Sequence, residues 1–385
     1  MIRLQHQGIF SLAILIIMAG KIFAQAPVPV KPYTAPPAIS YPSPQLYTVS
    51  VPITRLSPQN IGGAVPPDIY ATVTTLAGGG TAGMNNGNGA AALFNNPVSV
   101  AVDWNDNVFV ADLGNNLIRK ITPAGDVTTY AGNGTYGVNN GPALAASFNG
   151  PTAVTVDNAG NVYVADYGDG LIRKISAAGL VTTYAGSLNK GYADGPAASA
   201  LFQLVTGLAA DDNGNIYVAD YGNNAIRVIS PAGLVTTLAG NGVAGKTNGT
   251  AAAASFNAPA NLTFDPAGNL LVADFKNNLI REVSTTGATT TFAGTGQAGN
   301  TDVRADLATF NGPYGIAVDP TNNAYVADMY NYTIRRIDNK SIVVIMAGNN
   351  VPGFANGVFT AARFKSPATL VIDYSGHLLL ADQKN

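Results

Sequence analysis

The chain has 385 residues, a formal net charge of −2 and only 11% charged residues, so it offers no basic surface of the kind that binds nucleic acid. It contains no cysteine, which excludes disulfides, thiolate nucleophiles and cysteine-ligated zinc. Its 43 glycines and 23 prolines favour tight turns and disfavour a helical bundle, while 47% hydrophobic residues allow a substantial core.

Residues 1–24 are predicted to be a secretory signal peptide. Arg3 opens a short polar stretch, and the apolar run 9–19 that follows is too short to cross a bilayer as a helix. Cleavage is expected after Ala24, and the prolines beyond it disfavour a buried N-terminal helix. The mature chain is therefore expected to be secreted or at the cell surface, without a membrane span.

Residues 25–68 are predicted to form a spacer. Proline recurs throughout this segment and favours extended polyproline conformations over a packed fold. The second half, from Tyr41 onwards, partly resembles the opening of the Ig-like modules of large secreted bacterial proteins.

Residues 69–385 are built from one repeat with a period of 54 residues. The aspartates of an Ala-Asp pair, called here the Ala-Asp aspartates, are Asp112, Asp166, Asp220, Asp274, Asp328 and Asp382. A second series, the turn aspartates, comprises Asp103, Asp157, Asp211, Asp265, Asp319 and Asp373. The blade arginines are Arg119, Arg173, Arg227, Arg281 and Arg335. Such a fixed period predicts a repeat architecture.

One repeat unit predicts four β-strands. Residues 151–157 alternate with period 2, 161–166 form a second β-rich run, and 171–176 and 180–186 follow around a turn at Gly179. Four antiparallel strands cannot bury both of their faces alone, so the units are predicted to stack around an axis as the blades of a β-propeller. A linear solenoid is the alternative, which is disfavoured because sequential hairpin strands make a blade.

The two ends of the repeat region predict how the ring closes. Residues 72–78 match the fourth strand of a unit but precede the first complete unit, and the last unit supplies only its first two strands. Placing the N-terminal strand in the last blade gives an all-β, six-bladed propeller whose last blade lacks its third strand. The chain is therefore expected to be part of a longer protein that continues after Asn385.

The repeat pattern resembles that of the NHL family. It reads Pro-x-x-(Ala/Val)-(Val/Thr)-x-(Val/Phe)-Asp, then Gly-Asn-x-Tyr-Val-Ala-Asp, Asn-x-Ile-Arg and Val-Thr-Thr-x-Ala-Gly, within residues 72–385. Extracellular bacterial members resemble this chain in their long Gly- and Ala-rich loops. The resemblance implies a propeller of about six blades that is usually a binding scaffold and occasionally a lyase or related enzyme. The family's lyases rely on histidines, whereas His377 is the one histidine of this repeat region. Their activities are not expected here.

Residues that recur in every unit are interpreted as blade architecture, because an enzyme site is asymmetric. The Ala-Asp aspartates are expected to accept N–H groups of the following turn, and the turn aspartates to start Asx turns. The blade arginines are expected to bond or pair across blades. His377 replaces an asparagine of the other units and is expected to cap a turn.

The sequence contains few residues that would form a metal or cofactor site. Turns such as 157–161 offer oxygen ligands for calcium, and Asp211 with Asp212 is the densest candidate, but no turn has the carboxylate density of an EF-hand. No metal and no cofactor are predicted.

A binding surface is predicted on the face that carries the long connections between units and the turns after the Ala-Asp pairs, called here the loop-rich face. The residues directly after those pairs would ring this face: Leu113, Tyr167, Tyr221, Phe275, Met329 and Gln383. Aromatic rings beside Asn and Asp suit sugars or extended peptides, although packing beneath the long loops is the alternative. The units depart from the common repeat at 203–205, in the preceding loop with Lys190, Tyr192 and Asp194, and at 330–332. The predicted binding residues are Tyr167, Tyr221, Phe275, Tyr330, Tyr332, Lys190, Tyr192 and Asp194.

Three functional hypotheses follow. The leading one is a secreted, non-catalytic propeller that binds a protein or a glycan, as a monomer or as part of a larger multidomain chain. The second is a lyase or hydrolase that uses Asp169, Asp194 or Asp212, which the scarcity of His and Glu disfavours. The third is a passive spacer within a larger surface protein.

Overall fold

The computed structural model describes residues 13–18, 39–40, 59–60 and 72–384. The expected cleavage site and the spacer 25–68, apart from the short paired strands Ile39–Ser40 and Gln59–Asn60, lie outside the described residues. None of the helices in the described ranges is long and apolar enough to cross a membrane.

Five blades each consist of four consecutive antiparallel strands, as the repeat predicts. The innermost strands are Pro97–Val102, Pro151–Val156, Val205–Ala210, Pro259–Phe264 and Pro313–Val318. The second strands are Val108–Asp112, Val162–Asp166, Ile216–Asp220, Leu270–Asp274 and Ala324–Asp328. The third strands are Leu117–Ile121, Leu171–Ile175, Ala225–Ile229, Leu279–Val283 and Thr333–Ile337. The outer strands are Asp126–Ala131, Leu180–Ala185, Leu234–Ala239, Thr289–Ala293 and Val343–Ala347.

The blades pack face to face, which confirms the predicted propeller. One cluster of buried side chains joins Phe109 and Ile118 of the first blade to Val154, Val164 and Ile175 of the second, and similar clusters lie between the other blades. A phenylalanine of each long connection is also fully buried: Phe94, Phe148, Phe202, Phe256, Phe310 and Phe364. The apolar residues on both faces of each sheet thus form the core between blades.

A sixth sheet, the composite sheet, draws strands from both ends of the chain. Its strands, in order, are Gly357–Val358, Thr72–Ala77, Ala13–Met18, Leu378–Asp382 and Pro367–Ile372. The expected count of six blades is therefore corrected to five complete blades and one composite sheet.

The composite sheet also corrects the expectation that its third strand is missing. Ala13–Met18 occupies that position and runs parallel to both neighbours, whereas the main strands of the five blades pair antiparallel. This strand belongs to the predicted signal peptide, so cleavage after Ala24 would remove it from the sheet.

Short elements complete the blades. Two-residue strands extend several outer edges: Gly87–Asn88, Gly141–Pro142 and Gly195–Pro196. The 3-10 helices are Gly89–Ala91, Leu113–Asn115, Tyr221–Asn223, Phe275–Asn277, Met329–Asn331 and Phe359–Ala361. Four of these helices directly follow an Ala-Asp aspartate and end at a left-handed residue, as at Asn116 with φ of 54°. Asparagine tolerates this conformation, and the tight turn that results directs the residue after each aspartate towards the centre of the ring.

Candidate functional site

Each complete blade contains a buried ion pair between an Ala-Asp aspartate and a blade arginine. In the first blade, Arg119 Nη1 lies 3.1 Å from Asp112 Oδ2, and neither side chain is exposed. The same guanidinium donates to the carbonyl oxygen of Leu93 at 2.9 Å, and the backbone N–H of Asn95 donates to Asp112 Oδ1 at 2.7 Å. The pair therefore anchors the long connection to the second and third strands.

This geometry corrects two expectations. The blade arginines pair within their own blade rather than across blades, since Arg119 and Asp112 lie on adjacent strands. The Ala-Asp aspartates accept a backbone N–H from the connection that precedes their blade, and the following turn contributes the side chain of Asn115. Removal from water raises the pKa of Asp112 to about 6, despite the hydrogen bonds from Asn115, Asn95 and Arg119. Because these carboxylates are buried in every complete blade, we assign them to architecture.

The turn aspartates lie on the opposite face, where the predicted Asx turns are confirmed. Asp157 Oδ1 accepts the N–H groups of Ala159 and Asn161 at 2.9 and 2.8 Å. His377 takes the place of the recurrent asparagine, and its Nδ1 lies 2.9 Å from Asp373 Oδ2, which confirms the expected turn cap.

The carboxylates of the calcium candidate on this face, Asp211 and Asp212, already accept hydrogen bonds from other groups of the protein. Asp211 accepts N–H groups of Asn213 and Asn215, and Asp212 accepts the amide of Asn158 at 2.9 Å. Within the described ranges, no three His, Asp or Glu residues are grouped closely enough to hold a metal ion.

The loop-rich face opens into a cavity of about 550 Å³, called here the axial cavity because residues at the starts of the inner strands form its floor. Those floor residues are Val98, Thr152, Thr206 and Tyr314. All six residues of the predicted ring line it: Leu113, Tyr167, Tyr221, Phe275, Met329 and Gln383. Tyr330 and Tyr332, also predicted to bind, belong to the same lining.

Aromatic side chains form one wall of the axial cavity. The ring of Phe275 is 5.7 Å from that of Tyr314, 5.5 Å from that of Tyr330 and 6.3 Å from that of Tyr221. Phe275 is buried, whereas 54% of Tyr330 is exposed, so the cluster is anchored below and open above. Burial raises the pKa of Tyr314, with a further contribution from the hydroxyls of Tyr221 and Tyr167, so this phenol is a neutral hydrogen-bonding group at the cavity floor.

The ends of the composite sheet's strands supply a polar part of the lining. Lys365, Ser366, Gln383 and Lys384 all line the axial cavity. Both of its charged lining residues in the described part of the chain are lysines, and none of these lining residues is acidic. Lys276 adds a third ammonium nearby, 5.8 Å from the centre of the Tyr221 ring. The cavity therefore favours anionic groups in a chain whose net charge is negative.

The structure places the other predicted binding residues elsewhere. Tyr192 and Asp194 line a separate groove of about 420 Å³ near the outer edge of the third blade. Asp194 accepts hydrogen bonds from Arg227 Nε at 3.0 Å and from the N–H of Thr237 at 2.9 Å, and the Arg227 guanidinium lies 4.9 Å from the centre of the Tyr192 ring. Lys190 is exposed and does not line the axial cavity. Their binding role stays a prediction.

The carboxylates of the enzyme hypothesis are not brought together. Asp169 accepts the amide of Asn149 at 2.8 Å, and its other oxygen is buried without a hydrogen-bond partner among the described residues. Asp194 is held by Arg227, and Asp212 lies in a turn of the opposite face.

Sequence reasoning missed seven of the residues that line the axial cavity: Val98, Thr152, Thr206, Tyr314, Lys365, Ser366 and Lys384. A position-by-position comparison of the repeats contains the signal for two of them. Tyr314 stands where the other units have Val98, Thr152, Thr206, Ala260 and Ala368. Lys365 stands where they have Asn95, Asn149, Gln203, Asn257 and Asn311.

Comparison with known proteins gives a family match in the first three blades and several relatives. The NHL repeat model matches residues 94–121, 148–175 and 202–229. The chain is 31% identical over 228 residues to Arabidopsis thaliana SUPPRESSOR OF QUENCHING 1, chloroplastic, which covers 55% of this chain and 22% of that protein. It is 27% identical over 329 residues to human NHL repeat-containing protein 2, with 75% and 45% covered. The chain thus spans less than half the length of these relatives.

Solved structures support the same fold. A Bacteroides thetaiotaomicron protein of unknown function superposes with a TM-score of 0.63 at 20% identity, covering 79% of this chain and 70% of that one. An auxiliary nutrient binding protein from the same organism gives a TM-score of 0.59 at 14% identity, with 79% and 71% covered. At these identities the likeness shows the fold alone. The chain thus carries NHL repeats in a β-propeller and is similar to NHL repeat-containing proteins.

Proposed function

We propose that this protein is a non-catalytic binding module whose axial cavity holds a saccharide that bears a carboxylate. One observation carries the proposal: the aromatic side chains around Phe275 and Tyr330 and the lysines Lys365 and Lys384 line the same cavity, and no acidic residue is among the described lining residues. The volume of about 550 Å³ lies within the range that small ligands occupy.

The aromatic and the polar part of the lining match two parts of an acidic sugar. The C–H face of a sugar ring packs on the flat apolar surface of an aromatic side chain, and Tyr330 is exposed enough to provide that surface. A carboxylate on the same ring can then receive a charge-assisted hydrogen bond from Lys365 or Lys384. The hydroxyls of Tyr221 and Tyr314 offer further partners for sugar hydroxyls.

A binding role agrees better with the arrangement of ionisable groups than an enzymatic one. Asp169, Asp194 and Asp212 lie in different parts of the fold, and His377 caps a turn on the opposite face. General acid–base catalysis needs such groups within hydrogen-bond reach of one reacting centre. The name of the similar auxiliary nutrient binding protein agrees with a binding role.

We also propose that Thr72–Ala77, as the outer strand of the composite sheet, closes the ring. Its register supports this role, because Val73 pairs with Gly357 as Val181 pairs with Gly141 in the second blade. The hydroxyl of Thr75 donates to Asn356 Oδ1 at 3.2 Å, as that of Thr129 does to Asn86 in the first blade. Closure of this kind would protect the edge of the composite sheet.

Export remains part of the proposal. A protein isolated from outside the cells is expected to begin at Gln25, and intact-mass measurement tests this directly. A mass that includes Ala13–Met18 would instead support this segment as a permanent strand of the composite sheet.

The binding proposal is tested by calorimetric titration with trigalacturonate and with its neutral methyl ester. Lys365→Gln is expected to weaken binding of the acid by roughly tenfold or more, since a hydrogen bond to a charged group contributes about 1.5–3 kcal/mol. Lys340→Gln, an exposed lysine in an outer turn of the fifth blade, is the matched control and is expected to change nothing.

Tyr330→Ala distinguishes the aromatic from the polar part of the lining. It is expected to weaken binding of the acid and of the ester to a similar degree, because stacking does not depend on the charge. Equal affinity of the unmodified protein for acid and ester, or equal effects of Lys365→Gln and Lys340→Gln, would contradict the proposal.

A further inference from the structure

A second cavity, of about 680 Å³, lies on the face opposite the axial cavity, between the fifth blade and the composite sheet. We call it the lateral cavity. The second, third and outer strands of the fifth blade contribute Tyr325, Arg336 and residues 344–346, and the chain leading into the composite sheet contributes Phe359. It shares no described lining residue with the axial cavity.

The lateral cavity coincides with a departure from the repeat. The outer strands of the other four complete blades present a pair of threonines: Thr128 with Thr129, Thr182 with Thr183, Thr236 with Thr237, and Thr290 with Thr291. The fifth blade has Val344 and Ile345 instead, and both line the cavity. Phe359 stands where the other units have alanine or glycine, and 38% of it is exposed. An apolar surface thus replaces a polar one at this single seam.

Arg336 supplies a cation to this apolar surface. It pairs across the sheet with Tyr325, and its Nε is buried without a hydrogen-bond partner among the described residues. The lysines at the same position in the first two blades lie over aromatic rings, with Lys120 5.8 Å from Phe109 and Lys174 5.4 Å from Tyr163. Arg336 has no such ring and forms no ion pair within the described part of the chain.

The carboxylates of the lateral cavity are already satisfied by their own turns. Asp319 accepts the N–H of Asn323 at 2.9 Å and the hydroxyl of Tyr325 at 3.0 Å. Asp373 is bonded to the ring and to the N–H of His377. An incoming anion would therefore meet the half-buried guanidinium of Arg336, the cation among the described lining residues, rather than a free carboxylate.

We propose that the lateral cavity binds a small apolar molecule with one carboxylate, which Arg336 holds while Ile345 and Phe359 contact the apolar body. The ligand class follows from the chemistry of the walls: one unpaired planar cation and a broad aliphatic and aromatic surface. This site differs in position and ligand from the axial cavity, so it goes beyond the proposed function.

Methionine-methyl NMR tests the inference without ambiguity about location. Met346 lines the lateral cavity, Met329 lines the axial cavity, and Met84 is exposed and lines neither. Titration of the 13C-methyl-labelled protein with 4-phenylbutyrate is expected to shift the Met346 signal saturably and to leave Met84 unchanged. The neutral analogue 4-phenylbutanol is expected to bind about tenfold more weakly or worse, because it cannot form the charge-assisted pair.

Substitutions complete the test. Arg336→Gln is expected to abolish the preference for the acid over the alcohol, whereas Lys174→Gln, the equivalent position of the second blade, is expected to preserve it. Should Arg336→Gln fail to fold, the variant with Val344→Thr and Ile345→Thr restores the repeat and is expected to weaken both probes about tenfold by removing apolar contact. Equal Met346 shifts with acid and alcohol, an equal effect of the two charge variants, or shifts confined to Met329 would overturn the proposal.

Discussion

Removal of one buried blade arginine provides a strong test of the assigned architecture. Arg173 is fully buried and donates to Asp166 Oδ2 and to the carbonyl oxygen of Ser147, both at 3.1 Å, and to the carbonyl of Asn139 at 3.1 Å. Arg173→Met leaves Asp166 buried without its cation and frees the connection that the guanidinium holds. Loss of one partner from a buried pair costs about 3–5 kcal/mol, so a loss of this size is expected in the free energy of unfolding.

The pH dependence identifies the cause of that loss. Burial raises the pKa of Asp166 to about 6 even beside Arg173, which itself lowers the pKa. Without the arginine the pKa of Asp166 rises further, so the carboxyl of the folded variant is protonated at pH 5. At pH 8 the unfolded chain carries the ionised form, and the folded variant must either bury that charge or take up a proton, and both cost free energy. Arg173→Met is therefore expected to lose more stability at pH 8 than at pH 5.

Urea unfolding at both pH values measures these quantities. The double variant Asp166→Asn with Arg173→Met is the control, because it has no carboxylate to strand and is expected to lose no more stability at pH 8 than at pH 5. A loss below about 1 kcal/mol for Arg173→Met, or a loss that is equal at pH 5 and pH 8, would refute the reasoning.

Three further predictions concern the propeller as a whole. In the folded protein, burial raises the pKa of the Ala-Asp aspartates of the five complete blades to about 6, against an ordinary value of 3.8. The folded state therefore holds these protons to higher pH than the unfolded chain does, and its stability should fall between about pH 4 and pH 6. Urea unfolding measures this, and a rise in stability over the same range would contradict it. Gly207→Ala should lower stability by about 1–3 kcal/mol in thermal unfolding, because its Cβ would lie 2.8 Å from Asn261 Cα, and an unchanged melting temperature would argue against this contact. The ring of Trp104 in the first blade stacks on that of Tyr374 in the composite sheet, with 4.5 Å between the ring centres. Tyr374→Ala should therefore shift the fluorescence emission of Trp104, whereas Tyr136→Ala, which removes an exposed tyrosine, should not.

The strands and the ring of residues at the axial cavity were predictable because they depend on local patterns that repeat. Alternation with period 2 fixes which residues of 151–157 face a neighbouring blade, and the observed strand Pro151–Val156 agrees. The ring positions follow from the turn after each Ala-Asp pair, since the same turn in each unit must point to the same side of the molecule. Tyr167 and its equivalents could thus be placed on one face from spacing alone.

Other features depend on contacts between segments far apart in the chain. The partner of Arg119 depends on the fold of the connection through Leu93, and the interval of 54 residues alone does not distinguish pairing within a blade from pairing across blades. Lys365 reaches the axial cavity only because the composite sheet completes its wall. Asp194 looked available for a ligand because its loop departs from the repeat, yet it pairs with Arg227. Departures from symmetry therefore indicate where to look, and three-dimensional contacts decide what each residue does.

We propose that the axial cavity binds an acidic saccharide, and titration of the 13C-methyl-methionine protein with trigalacturonate tests this most sharply. The titration is followed at Met329 and Met346. We expect the Met329 signal to shift saturably, the Met346 signal to stay in place, and the Met329 shift to be much weaker with the methyl ester. A Met329 signal that does not move, or one that responds equally to acid and ester, would contradict the account.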